Sequence, residues 1–301
     1  MHMASREDVR IMEDRNLSAG LLVVPGLNAL ARAHERDYFA DGHRGAAMVA
    51  AHLFCRDNNL SAMVRTRIEE LVDLNWSRTS LCAGFPDEEP RPERIHEIGL
   101  ALIEGAETLR EVGHNAIFAM LARKGFHLAP KAATPMRIED VCRLIRKFKP
   151  WRDVEPDPEV NPPPFEDAQA ASRYILREAC DAIDRFIGFG QGYSGHMLTF
   201  GQALVELAAM GNVTWAESCR NAFRKYVTVV RLGPVPEAKA IPDHPHTDQR
   251  PTEMDYWKAR HDNDVDIGHV FKYPYSAYDL LRRADNPVLA RAWEARADQV
   301  F

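Results

Sequence analysis

Apolar positions recur every three or four residues along most of this chain. From Arg65 to Trp76, Ile68, Leu71, Val72 and Trp76 fall on one face. From Ile138 to Phe148 the spacing is kept by Val141, Leu144, Ile145 and Phe148. Segments 93–111, 168–188, 196–209 and 214–230 carry the same stripe, which predicts amphipathic helices throughout. No segment alternates with the period of two that a half-buried strand requires. Val227-Thr228-Val229-Val230 is β-prone, and a helix there needs tertiary packing to override local preference. Two proline-rich stretches, 150–165 and 233–251, exclude helix interiors. They read as long loops inside one all-α domain, 1–301, because a longer pattern runs across both.

That pattern is a Gly-His pair found four times: Gly42-His43, Gly113-His114, Gly195-His196 and Gly268-His269. Successive histidines lie 71, 82 and 73 residues apart, and each pair opens a helical segment followed by a second amphipathic helix. One such unit cannot bury its apolar face alone. The expected fold is therefore a helical repeat of four units, about three helices each, packed around a central cavity. With glycine as N-cap, each histidine would sit in the first turn of its helix. The positive end of the helix dipole favours neutral imidazole there, the form that ligates metals and accepts protons.

Composition narrows the class. The 301 residues are 46% hydrophobic and 27% charged, with a net charge of −6 and no basic run, so no nucleic-acid surface is expected. No stretch approaches a membrane span: Leu21-Leu22-Val23-Val24 stops at Pro25. The N-terminus lacks the pattern of a signal peptide, and His2, within Met1-His2-Met3, is left out of the site argument. Cys55, Cys82, Cys142, Cys180 and Cys219 are scattered and odd in number, which fits reduced thiols in a cytoplasmic protein.

The candidate catalytic residues are His43, His114, His196 and His269, with Lys272 and Tyr273 on the His269 helix face and Tyr193 just before His196. Lys272, Tyr273 and Tyr193 are of types that stabilise an oxyanion or move a proton. Asp262, Asp264 and Asp266 precede His269, with His261 upstream. Histidines with one carboxylate make a non-haem iron or catalytic zinc site, and the set considered is His114, His196, His269 and Asp266. His244-Pro245-His246 with Asp243 and Asp248 is a second metal-like cluster, read as an exposed loop. His52, nine residues after His43, points to the opposite helix face. Gly190-Gln191-Gly192-Tyr193-Ser194-Gly195 follows a helix, whereas a dinucleotide fingerprint must follow a strand. It reads as flexible backbone near a ligand.

The histidine-led segments at Gly42, Gly113, Gly195 and Ile267-Gly268-His269-Val270-Phe271-Lys272 resemble the questin oxidase-like family. The terminal helix after Asn286-Pro287-Val288 adds to the likeness, which spans roughly residues 40–300. The resemblance implies oxidative ring cleavage of polyketide-type aromatics. This chain is shorter than the fungal members of that family, and Pro274 interrupts its fourth histidine-led segment. The functional expectation is an oxidoreductase for a small aromatic molecule, using a His-bound divalent metal such as Fe or Zn. A metal-dependent hydrolase or lyase built on the same histidines and a non-catalytic helical scaffold stay open.

Overall fold

A computed structural model describes residues 22–241 and 247–301, and its described residues are helical with no strand. One isolated bridge joins Arg110 to Pro150. None of the described helices is long and apolar enough to cross a membrane.

Four helices form a closed ring: α2 (Ala40–Asp57), α5 (His114–Leu128), α8 (Gly192–Ala209) and α12 (His269–Ala284). Each packs on the next, and α12 returns to α2. The ring interior demands small or apolar side chains, so Gly45 to Cys55 of α2 and Ser194 to Ala208 of α8 are buried without a break. The outer helices complete the fold. Helices α4 (His96–Ile103) and α6 (Pro135–Lys147) cover α5, while α3 (Ala62–Val72) lies against α2. Helices α7 (Ala168–Arg185), α9 (Val213–Ser218) and α10 (Arg220–Leu232) pack around α8. The remaining elements are α1 (22–33), α11 (Met254–Lys258), which meets α3, and α13 (Pro287–Glu294), which meets α7.

The ring helices are seated by close approach to glycine. A Cβ on Gly42 would meet the Phe118 ring, one on Gly113 that of Phe200, one on Gly195 that of Tyr273, and one on Gly268 the Cβ of Ala47. Each partner stands four residues after the histidine of the next ring helix, and the last contact closes onto the first. Gly113 and Gly268 are the expected N-caps, and both are left-handed, at φ 93° and 82°. Gly42 and Gly195 are not caps: they lie inside α2 and α8, which begin earlier. Packing against an aromatic ring sets these two glycines, so His43 and His196 follow the helix start by three and four residues.

Other boundaries also shift. The expected helix 93–111 stops at Ile103, and residues 104–113 form a loop tied down by Arg110, whose guanidinium donates to the Phe148 carbonyl at 2.5 Å and to that of Gly105 at 3.3 Å. The expected helix 214–230 breaks at Cys219 into α9 and α10, where Arg220 bonds the Pro162 and Pro163 carbonyls. Pro274 does not interrupt α12, which runs unbroken through it. The β-prone run at Val227–Val230 is buried helix. The described residues of both proline-rich stretches are loop. Asn286 caps α13 through Val288 and Leu289 N–H, with Pro287 at the first helical position.

Candidate functional site

The four ring helices bring the four expected histidines together at their N-terminal ends. Ring centroids lie 4.4 Å apart for His43 and His114, 4.7 Å for His114 and His196, and 5.3 Å for His196 and His269. His43 and His269 are 5.0 Å apart, and the diagonal from His43 to His196 is 6.5 Å. Converging N-termini concentrate positive potential at this point. Phe39, Phe118 and Phe148 pack around His43 and His114. The imidazoles therefore fill the space between the helix starts, and the central cavity expected there is occupied by side chains.

The hydrogen bonds fix the tautomers. His114 Nδ1–H donates to the Glu111 carbonyl, and His196 Nδ1–H donates to the Gly192 carbonyl at 2.6 Å. A carbonyl only accepts, so both protons reside on Nδ1 and both Nε2 atoms carry lone pairs. These two Nε2 atoms face each other at 3.0 Å. Lone pair against lone pair is repulsive unless something positive is shared between them. Burial pushes every pKa in the cluster down. His43 is lowered by burial and then by Lys272, and His114 by burial and then by His196. His196 is pushed down to about 4 by burial, and His269 is lowered by burial and by Lys272.

Lys272 is buried among these rings with its Nζ against His43 Nδ1. Burial drives its pKa well below the usual lysine value, and the charge of Asp266 opposes that only in part. The Lys272 amine engages His43 Nδ1, which leaves His43 Nε2 outside that contact. That atom is buried and unpartnered, as is His269 Nε2. Tyr273 stacks on His269 at 4.7 Å, and its hydroxyl lies 3.4 Å from His196 Nδ1.

The donor set suits a transition metal. One ligand atom each from His43, His114 and His196 lies within 4.8 Å of the others. Metal–imidazole bonds of about 2.0–2.1 Å put two nitrogens of one ion about 3 Å apart, which matches the His114–His196 gap. Anchoring Nδ1 on a carbonyl while Nε2 points inward is the outer support that ligating histidines use. The compact trio thus contains His43, in place of the His269 and Asp266 expected from the sequence. Asp266 is exposed, as are His261, Asp262 and Asp264, and Asp262 is paired with Arg67 at 2.8 Å. Asp243, His244 and His246 lie outside the described residues, and Asp248 is exposed. His52 is buried but outside the trio.

A cleft of about 330 Å³ opens beside the cluster, lined by His114 and His196 and walled by Phe39, Val112, Trp151, Tyr193 and Tyr226. His43 and His269 do not line it. Its rim includes a strained turn: Glu111, Val112 and Gly113 have φ of 39°, 57° and 93°. The left-handed region is costly for a β-branched valine. This turn presents the Glu111 carbonyl to His114, and Glu111 also accepts from the Tyr38 hydroxyl at 2.8 Å. Tyr193 belongs to the cleft, with its hydroxyl accepting from Arg152 at 3.1 Å. Sequence reading missed Phe39, Trp151 and Tyr226, since an aromatic residue in a loop or on an amphipathic helix looks the same in a core and in a pocket. Comparison with family models, curated proteins and solved structures finds no match for this chain.

Proposed function

We propose that this chain is a metal-dependent oxidoreductase acting on a small aromatic molecule bound in the aromatic-walled cleft. The observation that carries the reading is that His114 and His196 belong to both places, with Nε2 atoms paired within the cluster and rings on the cleft floor. A ligand in the cleft would lie against the imidazoles that hold the ion. His43, His114 and His196 would ligate it, with His269 Nε2 at hand as a further donor. When bound, a redox-active ion such as Fe(II) would supply the electron transfer that brings dioxygen to an aromatic ring.

The protein's own groups divide the remaining work. Phe39, Trp151 and Tyr226 offer faces and edges for a planar ring, and the cleft lies in the size range of small-molecule sites. Converging helix N-termini favour the anionic form of a phenol. Burial of Lys272 beside His43 holds its pKa well below the usual lysine value. The internal repeat is part of the proposal: four units each supply a histidine, and the cyclic contact of glycine with the residue at position +4 supports a ring built from equivalent pieces. The resemblance to questin oxidase-like proteins points to the same substrate class, a phenolic polyketide.

Oxygen uptake by Fe(II)-loaded protein over a panel of mono- and polycyclic phenols tests the reading. Substrate-dependent uptake, abolished in His196→Ala, is expected. Turnover with Zn(II) and without oxygen consumption would replace the oxidoreductase reading with the hydrolytic one.

A further inference from the structure

A second pocket of about 400 Å³ adjoins the cleft, lined by Ile183, Phe186 and Phe189, by the exposed Ile187 and Ile241, and by the polar Gln191, Ser194 and Gln299. Gly192 and Tyr193 line both spaces. The Tyr193 ring stacks on Phe186 at 4.1 Å and 16°, and its other neighbour is Trp151 of the cleft, at 6.4 Å. Arg152 donates to its hydroxyl, and its backbone carbonyl accepts from the Tyr226 hydroxyl at 2.7 Å. The ring is thus held at both ends. The far wall is also built: Ile241 N–H donates to the Gly188 carbonyl at 2.7 Å, which sets Ile241 across from Gly190. Gly190 takes φ 79°, and a Cβ there would crowd the Ile241 side chain at 3.1 Å.

We propose that Tyr193 determines specificity for substrate length: it is the partition that ends the cleft, and the apolar space behind it would take an alkyl or second-ring extension if the partition were removed. The proposal rests on the reading of the cleft as the substrate site. It assigns Tyr193 a steric role in place of the proton-transfer role its phenol suggested. The ring stacks on Phe186 and the hydroxyl is engaged by Arg152, so the side chain acts as a wall.

The test is calorimetric binding of phenol, 4-butylphenol and 4-octylphenol to the wild type and to Tyr193→Ala, Tyr193→Phe and the double variant Tyr193→Ala/Ile183→Phe. Each methylene that enters an apolar cavity contributes about fourfold in affinity. Wild type and Tyr193→Phe should bind phenol and gain little or nothing from the octyl chain. Tyr193→Ala loses a wall of the cleft and should bind phenol more weakly than wild type, yet it should bind 4-octylphenol at least tenfold tighter than wild type does. Filling the second cavity with Ile183→Phe should reverse that gain. Equal affinity of wild type and Tyr193→Ala for 4-octylphenol would overturn the partition, as would a gain that survives Ile183→Phe. Failure of wild type to bind phenol at all would refute the cleft reading itself, a separate and recognisable outcome.

Discussion

Replacing Gly195 with alanine tests the ring packing directly. In an ordinary helix interior this change stabilises by about 1 kcal/mol, because alanine loses less backbone entropy. Gly195 sits in α8 with no positive φ, so that gain applies. A Cβ there, however, would overlap three atoms of the Tyr273 ring. Tyr273 has nowhere to go: it is 1% exposed, stacked on His269 and edge-on to His196 at 5.8 Å. Overpacking of this kind costs about 1–3 kcal/mol, which outweighs the propensity gain. Gly192, one turn earlier in the same helix, has open space where its Cβ would stand. Gly192→Ala should therefore be neutral or stabilising by a few tenths of a kcal/mol, and Gly195→Ala should fall about 1–2 kcal/mol below it. Thermal unfolding resolves the difference at about 2 °C per kcal/mol in a domain of this size. Equal melting temperatures, or a more stable Gly195→Ala, would refute the claim that close approach to Tyr273 fixes this glycine.

Acid should destabilise the apo protein through the histidine cluster. His196 is held near 4 when folded and near 6.5 when unfolded, so the unfolded chain binds more protons between those values and stability falls as pH drops through that window. The lowered pKa of His196 alone is worth about 3 kcal/mol, and denaturant midpoints at pH 7.5, 5.5 and 4.5 should fall in that order; a flat profile would contradict the buried neutral cluster. At the other end of the ring, Glu206 accepts from Lys124 at 2.6 Å and from Arg283. Glu206→Ala leaves two cations without it and should cost about 3–5 kcal/mol, read by urea unfolding; a loss under 1 kcal/mol would show that the network carries little.

What the sequence revealed follows from how each helix is buried. Helices α6 and α10 have one wet face, so their apolar stripes are plain, and burial of Val227–Val230 in α10 overrides the β preference of that run. Helices α2 and α8 are covered on nearly all sides, which erases amphipathic contrast and hides their starts. The recurring Gly-His pair marks α2, α5 and α12, which the periodic segments do not include, whereas the stripe over 196–209 already falls on α8. It misled about Gly42 and Gly195, because a glycine needed for close packing and one needed for φ > 0 are identical in sequence. The carboxylates near His269 looked ligand-like from proximity along the chain, but Asp266 is turned to solvent. Meanwhile His43, more than 200 residues away, touches Lys272, a contact that only the closed ring creates.

The central claim is that three or more of these histidines hold one metal ion. The most direct measurement is elemental analysis of protein loaded anaerobically with Fe(II) and desalted, for the wild type and for His114→Ala/His196→Ala, with circular dichroism confirming equal helix content. The account predicts about one ion per chain in the wild type and none in the double variant. Wild-type protein that retains no ion, or a double variant that retains as much, would contradict it.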